Sequence, residues 1–334
     1  MRLLRTLSVT AVAAVAVAAA AAEPFPEPSP AARTAPVWSA HRAAAFWTPE
    51  RMASARPVPD GRKGIAAVRA DGDRTDGGDP GPGPEGTWPA VAAGPGIGQD
   101  FGGIPVVGRM FTVKGGGAYF CTASAVASPG RDLVLTAAHC LTGSDTRQIA
   151  FVPRYTAALP RPYGMFPVRS IWIDPRYRQQ GPARAAALDV AFARVGPGPD
   201  GRALQEVVGA NRLVTRPGYA HPSVHLIGHP ARAPRPRVCV NRTTRFTSTD
   251  PGSPGSFLRI ACTGYPGGTS GGPFLADYDP RTRTGRVIGI IGGYQTGGNS
   301  PDTSYSPYFG PDVRRLYEQA VGPPVVAFRE GIVS

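Results

Sequence analysis

The stretch of this sequence with the most evident chemistry is Gly264-Tyr-Pro-Gly-Gly-Thr-Ser-Gly-Gly-Pro273, in which Ser270 lies among five glycines. Glycine-rich backbone leaves room for an incoming carbonyl group and lets main-chain N–H groups turn toward it. The alternative is an ordinary turn, because the chain contains 43 glycines and 38 prolines. A nucleophilic serine also needs a base, an orienting carboxylate and an oxyanion hole, so the rest of the sequence decides between these interpretations.

An imidazole and a shielded carboxylate are both present upstream. His139 ends the apolar run that begins at Leu133. Between His139 and Ser270, Asp189 is the aspartate embedded in an apolar run, residues 187–192. The other aspartates of this interval have turn-like neighbours: Asp145, Asp174, Asp200 and Asp250. A buried carboxylate is costly unless a partner hydrogen-bonds to it, so Asp189 is predicted to orient an imidazole.

Three motifs carry a resemblance to a known family. They are Thr136-Ala-Ala-His-Cys140, Leu188-Asp-Val-Ala-Phe192 and Gly267-Gly-Thr-Ser-Gly-Gly-Pro273. Together they resemble the catalytic motifs of chymotrypsin-like serine peptidases, in that family's order, and are most similar to those of secreted bacterial trypsin-like and glutamyl-endopeptidase-like members. The resemblance covers residues 104–320. It implies a serine endopeptidase that cleaves protein or peptide substrates through an acyl-enzyme, without a cofactor or metal.

The resemblance also implies a role for each matching residue. His139 would take the proton of Ser270 and pass it to the leaving amine, and Asp189 would orient His139. The backbone N–H groups of Gly268 and Ser270 would form the oxyanion hole, where one donor typically contributes about 3 kcal/mol to transition-state stabilisation. The substrate-binding residues implied by the resemblance are Gly264, Gly292, Gly293 and Tyr294.

Two features depart from the trypsin pattern. Thr269 stands where enzymes activated by a new N-terminal ammonium carry an aspartate, so that ion-pair switch cannot be assumed. Gly264 leaves the pocket without the charged floor that selects lysine or arginine, and Tyr294 replaces a small residue. Trypsin-like specificity is therefore not predicted. The Thr269 departure supports an alternative function, a catalytically silent β-barrel binding protein.

The segment Gly268-Thr-Ser-Gly-Gly272 also fits the G-x-S-x-G nucleophile elbow of α/β-hydrolases. That fold places its histidine after the serine and alternates strands with helices. No histidine follows Ser270 in this sequence, and the alternation is missing. The pattern therefore argues strongly against a lipase or esterase of that fold.

The elements that must position these residues are short strands. From Ile104 onward, runs rich in β-branched and aromatic residues alternate with Gly, Pro and Asp turns, which predicts an all-β fold. The resemblance specifies two packed antiparallel β-barrels with the triad in the cleft between them. A C-terminal helix is predicted between Asp312 and Gly322, where apolar residues recur at helical spacing: Val313, Leu316, Tyr317 and Ala320.

Changes in composition along the sequence divide the chain into three parts. Residues 1–22 are typical of a signal peptide, with two arginines, an alanine-rich apolar core and small residues at the cleavage site. Residues 23–103 are predicted to be a pro-segment or flexible linker that is dispensable for chemistry after folding. Within it, residues 42–52 are expected to form a short helical island that docks through Phe46, Trp47 and Met52. Residues 104–334 form the predicted peptidase domain.

Export would place the four cysteines in an oxidising compartment, where an even number favours disulfides over metal ligation. Three pairings are possible. The pairing Cys121–Cys140 with Cys239–Cys262 closes two short loops, each stabilising the fold by about 3 kcal/mol in the chain-entropy model. The prediction is a secreted, disulfide-containing monomer without a membrane span.

The formal net charge of +13 comes almost entirely from scattered arginines. Because no compact basic run accompanies them, nucleic-acid binding is not predicted, and a cationic surface that attracts anionic substrates is the simpler interpretation. His221, His225 and His229 recur at every fourth residue. Intervening proline and glycine residues argue against the helix that a zinc site would need there, so no metal site is predicted.

Overall fold

The structure is a computed structural model that describes residues 37–59 and 94–322. The predicted signal peptide and residues 23–36 and 60–93 of the predicted linker lie outside the described residues. The compact unit begins at Trp38. None of the helices in the described ranges is long and apolar enough to cross a membrane.

Most of the regular structure in these ranges is β-strand. The strands are β1 (Arg56–Pro57), β2 (Gln99–Asp100), β3 (Val107–Lys114), β4 (Gly117–Val126), β5 (Leu133–Thr136), β6 (Ala150–Pro153), β7 (Phe166–Ile173), β8 (Ala191–Val195), β9 (Arg212–Leu213), β10 (His221–Gly228), β11 (Arg237–Thr247), β12 (Ser256–Ala261), β13 (Pro273–Asp279), β14 (Thr284–Ile290) and β15 (Thr303–Pro307). The α-helices are α1 (Ala40–Phe46), α2 (Pro49–Ser54), α3 (Ala138–Leu141), α4 (Pro175–Arg184), α5 (Leu204–Val208) and α6 (Pro311–Val321).

The first half of the fold is a closed barrel. Its strands pair in the order β4-β3-β6-β7-β8-β5, and β5 pairs back with β4 in antiparallel register. Side chains alternate across each strand, so Met110 of β3 joins the large core cluster while the next residue, Phe111, joins a separate cluster beneath the N-terminal helices. Both faces of β3 are therefore covered.

The second half is an antiparallel sheet in the order β15-β12-β11-β10-β13-β14, with β9 on β14 and β2 on β11. Its two end strands, β14 and β15, are joined by hydrogen bonds that are not part of a regular strand pairing. The Ile290 amide donates to the Ser306 hydroxyl over 2.9 Å, and the Gly292 amide donates to the Tyr305 carbonyl over 3.0 Å. The core of this sheet is aliphatic and aromatic, with Leu258, Phe274 and Ile288 fully buried.

The predicted fold class is confirmed. The chain is mainly β, with a closed six-stranded barrel and a second sheet, and α6 is the expected C-terminal helix. Val313, Leu316 and Ala320 are its buried face, as the spacing predicts. The Tyr317 hydroxyl donates to the Ala127 carbonyl over 2.9 Å, which attaches the helix to the first barrel.

The N-terminal segment packs more extensively than the sequence predicts. Helix α2 begins at Pro49 after the Thr48 side chain, which accepts from the Arg51 amide over 3.2 Å. Trp47 and Met52 have no exposed surface. Strand β1 pairs with β4, and β2 pairs with β11. The compact unit thus starts far upstream of the boundary expected at Ile104. The reason is that the N-terminal segment shields aromatic residues on the outer face of the barrel from water.

Replacing Trp47 with alanine should destabilise the protein by about 3–5 kcal/mol, the usual cost of removing a buried Trp side chain. The Trp47 ring lies 5.3 Å from the Phe111 ring, centroid to centroid, and its Nε1 donates to the Gln148 carbonyl over 3.2 Å. Urea denaturation measures the change. Ile97→Ala is the control, because Ile97 is 69% exposed. Equal unfolding midpoints for the two variants would show that the N-terminal segment does not support the barrel.

Candidate active site

An imidazole and a carboxylate meet where the two halves of the fold adjoin. His139 lies on α3, directly after β5, and Asp189 precedes β8. The His139 ring Nδ1 lies 2.8 Å from Asp189 Oδ2, and the His139 amide donates to Oδ1 over 2.9 Å. The Gly293 amide, from the segment that follows β14, donates to Oδ2 over 2.9 Å. Asp189 has no exposed surface, so three donors satisfy a fully buried carboxylate.

The charge state of this pair follows from its surroundings. Burial by itself raises the pKa of Asp189, but the attraction of His139 and the hydrogen bonds from His139 and Gly293 lower that pKa overall. Asp189 is therefore ionised at neutral pH and accepts a hydrogen bond from the Nδ1–H group of His139. The opposite ring atom, Nε2, is buried and has no hydrogen-bond partner among the described residues. Its lone pair is available to accept a proton.

The Ser270 loop is hydrogen-bonded to the part of the first barrel that precedes His139. The Thr122 amide donates to the Ser270 carbonyl over 2.8 Å, and the Thr122 hydroxyl donates to the Gly268 carbonyl over 2.9 Å. On the other side, the Thr136 hydroxyl donates to the Thr122 carbonyl over 2.8 Å. Thr122 thus links the serine loop to the end of β5, immediately before α3. Sequence reasoning missed this threonine, although it follows Cys121 directly.

Backbone geometry around Gly268 suits an oxyanion hole. Its φ is +93°, and a Cβ at this position would lie 2.6 Å from the Phe120 ring and 2.8 Å from the His229 carbonyl oxygen. Only glycine fits there without a shift of its neighbours. Neither the Gly268 amide nor the Ser270 amide donates a hydrogen bond within the described part of the chain. Two N–H groups are therefore free beside Ser270.

Thr269 holds the turn between these two amides. Its hydroxyl donates to the Pro266 carbonyl over 2.7 Å, and its carbonyl accepts from the Gly272 amide over 2.9 Å. The side chain is 2% exposed. The loop conformation is thus maintained by local hydrogen bonds of a neutral residue, in the place where the trypsin pattern uses a carboxylate.

The four predicted substrate-binding residues have different surroundings. Gly292 and Gly293 lie against Asp189, and a Cβ on Gly292 would approach Oδ2 to 3.1 Å. Gly264 accepts a 3.0 Å hydrogen bond from Arg237, which also pairs with Asp100 at 2.7 Å. Tyr294 belongs to an aromatic cluster with ring centroids 4.8 to 5.8 Å from those of its neighbours, Phe246, Phe257 and Tyr305.

The cysteines are paired as the short-loop interpretation predicts. Cys121–Cys140 joins β4 to α3, and Cys239–Cys262 joins β11 to the end of β12. Cys140 directly follows His139, and its Sγ lies 3.9 Å from the Ser270 carbonyl oxygen. The first disulfide therefore anchors the short helix that carries the imidazole.

The three histidines that recur at every fourth residue lie in separate environments. The His225 ring lies 4.8 Å from Tyr278, and the buried His229 ring lies 6.3 Å from Tyr155, centroid to centroid. The group of three potential metal ligands in the described ranges is instead Cys121, His139 and Cys140. Its two thiols are used in a disulfide, so that group is not a metal site.

Lys114 forms hydrogen bonds with the backbone of the helix that carries the candidate histidine. Its Nζ donates to the His139 carbonyl over 2.8 Å and to the Thr142 carbonyl over 2.9 Å, which satisfies free carbonyl groups at the end of α3. Burial lowers the pKa of Lys114 to about 8, against a smaller opposing effect of the Asp189 charge. No motif of the sequence singles out this lysine, which ends β3.

This lowered pKa predicts an unusual pH dependence of stability. Between about pH 8 and pH 10.5 the folded protein has released the Lys114 proton while the unfolded chain still binds it. Unfolding then takes up a proton, so the free energy of unfolding should rise with pH across this window. Lys114→Met and Lys114→Arg should both lack that rise. Parallel pH profiles for all three proteins, measured by denaturant titration, would contradict the assignment.

A closed six-stranded barrel beside a second antiparallel sheet, with a His–Asp pair at their junction, is the arrangement of the chymotrypsin-like peptidases. The family of trypsin-like peptidase domains matches residues 121–290, and the chain belongs to that family.

Two solved structures illustrate the likeness. The protease Anisep from Arthrobacter nicotinovorans is 24% identical, with a TM-score of 0.57 over 67% of this chain and 99% of that chain. The thermostable serine protease AL20 from an extremophilic microorganism is 24% identical, with a TM-score of 0.53 over 65% of this chain and 97% of that chain. At this identity the likeness shows the fold. No match was found among curated proteins.

Proposed function

We propose that the protein is a secreted serine endopeptidase in which Ser270, His139 and Asp189 form the catalytic triad. The orientation of His139 is the observation that supports this most strongly. Its Nδ1 is fixed by a buried carboxylate, and its buried Nε2 has no partner in the described part of the chain. An imidazole held in this tautomer is a general base for a serine hydroxyl.

In the proposed acylation step, the Ser270 hydroxyl attacks the carbonyl carbon of the scissile peptide bond while His139 Nε2 takes its proton. The negative charge that develops on the carbonyl oxygen is stabilised by the amides of Gly268 and Ser270. Asp189 stabilises the imidazolium without itself taking the proton. The tetrahedral intermediate then breaks the C–N bond, and His139 returns the proton to the leaving amine.

Deacylation repeats these steps with water. His139 removes a proton from a water molecule as its oxygen attacks the acyl-enzyme ester. Collapse of the second tetrahedral intermediate releases the carboxylic acid product and restores the Ser270 hydroxyl. Groups of the chain and water supply every proton of this cycle.

The proposed substrates are proteins or peptides, with Gly264, Gly292, Gly293 and Tyr294 around the side chain that precedes the cleaved bond. Arg237 at Gly264 is paired with Asp100, and Tyr294 has aromatic neighbours, which supports a pocket without a free carboxylate. Because burying an unpaired charge is costly, such a pocket disfavours lysine and arginine. A neutral residue is the proposed preference.

The proposal includes export as a monomer and removal of residues before the compact unit. Two disulfides are compatible with an extracellular location. The Thr269 hydroxyl holds the oxyanion loop through a local hydrogen bond. This supports an activation that does not depend on an ion pair with a new N-terminal ammonium, although the chain can still be made as a zymogen.

Cleavage profiling tests this proposal. The purified protein is incubated with a peptide library, and products are identified by mass spectrometry. Cleavage that disappears in Ser270→Ala and in His139→Ala supports the endopeptidase. Retention of peptides without cleavage by the correctly folded wild-type protein would instead support the silent binding protein.

A further inference from the structure

A cavity of about 740 Å³ lies between the N-terminal segment and the first barrel. Residues 53–59, which include β1, line it together with residues 231–234. Arg109 of β3, Tyr119 of β4 and Tyr155 also line it. Gly267 of the serine loop also lines the cavity, and its carbonyl accepts from the Ala231 amide over 2.8 Å. The cavity therefore opens beside the loop that carries Ser270.

The charge of this cavity is entirely positive. Arg56, Arg109 and Arg232 line it, whereas no aspartate or glutamate is among the described residues that do so. None of the three arginines forms an ion pair with a carboxylate in the described ranges. The polar lining also includes two phenols, Tyr119 and Tyr155. Arg56 donates to the Tyr119 hydroxyl over 2.9 Å.

Arg109 is the informative member, because it is 5% exposed. Its guanidinium carbon lies 3.9 Å from the centre of the Phe120 ring and 4.4 Å from that of Tyr155. One Nη donates a long 3.4 Å hydrogen bond to the Ala233 carbonyl, and the buried Nε has no partner among the described residues. A buried charge with so few hydrogen bonds is costly. Stacking on two rings offsets part of that cost.

The neighbouring titratable groups do not neutralise Arg109. Burial and the charge of Arg109 lower the pKa of His229 well below its usual value, so that ring is neutral. Burial lowers the pKa of Arg109 to about 10, which still leaves the guanidinium charged at neutral pH. A planar guanidinium that lacks a carboxylate is matched best by a bidentate oxyanion.

We infer that this cavity is an anion subsite that binds a carboxylate of the peptide substrate, either an acidic side chain or the C-terminal carboxylate, close to the cleaved bond. This inference rests on the proposed endopeptidase function. Arg109 supplies the buried contact, and Arg56 and Arg232 supply contacts at the rim. The N-terminal segment thus helps to select the substrate, since one wall of the subsite and Arg56 belong to it.

The first experiment measures anion binding without catalysis. Ser270→Ala protein is titrated with inorganic sulfate at constant ionic strength, and the thermal unfolding midpoint is followed. A saturable rise is expected, in addition to the non-saturable effect that sulfate has on any protein. The saturable part should be absent in Arg109→Gln and weaker in Arg232→Gln. Arg281→Gln is the matched control, because Arg281 is an exposed turn residue that does not line the cavity.

The second experiment compares kcat/KM for paired peptides. One pair differs by Glu against Gln at each position around the cleaved bond, and another by a C-terminal acid against an amide. A preference of about 10- to 100-fold for the carboxylate is expected in one pair, the usual range for a charge-assisted hydrogen bond. Arg232→Gln should reduce this preference without loss of folding, and Arg109→Gln should abolish it. Arg281→Gln should retain it.

The outcomes separate this inference from the proposed function. Saturable sulfate binding without any carboxylate preference would overturn the substrate assignment, because the cavity would then bind a free anion only. Absence of both effects in a folded, active protein would overturn the subsite altogether. If the protein cleaves no peptide, the proposed function fails, and a lack of saturable sulfate binding would still refute the anion site independently.

Discussion

Replacing Asp189 with asparagine should lower kcat about 10⁴-fold, the usual effect of this change in a Ser-His-Asp site. The Asp189 carboxylate accepts from three donors: the His139 amide, His139 Nδ1 and the Gly293 amide. An asparagine side chain has one acceptor oxygen and places an N–H₂ donor where a second acceptor is needed. The imidazole then turns or changes tautomer, and Nε2 no longer accepts the Ser270 proton.

Steady-state kinetics on a peptide identified by profiling measure this loss. The KM should change little, because Asp189 is fully buried and does not contact the substrate. Asp250→Asn is the matched control. Among the described residues the Asp250 carboxylate accepts only from a backbone amide in an exposed turn, and an asparagine oxygen can replace it there. A kcat within tenfold of the wild-type value in Asp189→Asn would show that this carboxylate does not orient the base.

The same substitution should change stability in acid. Because the pKa of Asp189 is lowered in the folded protein, its ionised form stabilises the fold above the ordinary aspartate pKa. That contribution is lost as the pH falls through the folded-state value. In Asp189→Asn this part of the acid dependence should be missing, so its stability should fall less steeply with decreasing pH than that of the wild type.

Gly268→Ala should lower kcat about 10²- to 10³-fold, the effect of removing one oxyanion-hole donor. The φ of +93° is unfavourable for alanine, and its Cβ would collide with the Phe120 ring and the His229 carbonyl. Relief of that collision must move the peptide whose N–H is the proposed donor to the oxyanion. The effect should therefore appear mainly in kcat, with a moderate loss of stability.

Gly201→Ala separates strain from function. Gly201 has a similar φ of +79°, but a Cβ there meets nothing within 4 Å. This control variant should lose stability through its backbone conformation alone and keep the wild-type kcat. Equal activities of the two variants would place the oxyanion hole elsewhere.

Much of the candidate site could be predicted because its signals are local. Asp189 stands out as an acid within an apolar run, and His139 and Ser270 lie in short motifs whose order is informative. The all-β class follows from alternating residues and frequent turns, and α6 follows from its apolar spacing. Each of these features depends on residues that are close in sequence.

The N-terminal cover was underestimated because its cause is tertiary. Helices α1 and α2 are only 7 and 6 residues long, and most apolar residues of α1 are alanines, so neither has a distinct pattern of large apolar side chains. The signal lies instead in β3, where both Met110 and Phe111 have no exposed surface. A strand that is apolar on both faces needs a second layer of structure. The N-terminal segment supplies that layer, but it lies in a region whose composition is typical of a linker.

Helix α4 and Lys114 were missed for other reasons. Helix α4 is rich in arginine and glutamine and contains Gly181 and Pro182, so no apolar stripe marks it. It starts because the Asp174 side chain caps it ahead of Pro175. Lys114 acts through the carbonyl of His139, a contact that depends on the path of the backbone rather than on a motif.

The central claim is that Ser270 becomes a nucleophile because His139, oriented by Asp189, removes its proton. The most direct measurement is labelling of the intact folded protein with a fluorophosphonate, followed by peptide mapping. We predict a single adduct on Ser270 that is lost in His139→Ala and greatly slowed in Asp189→Asn. No adduct on Ser270 in the folded wild-type protein, or equal labelling of the wild type and His139→Ala, would contradict the claim.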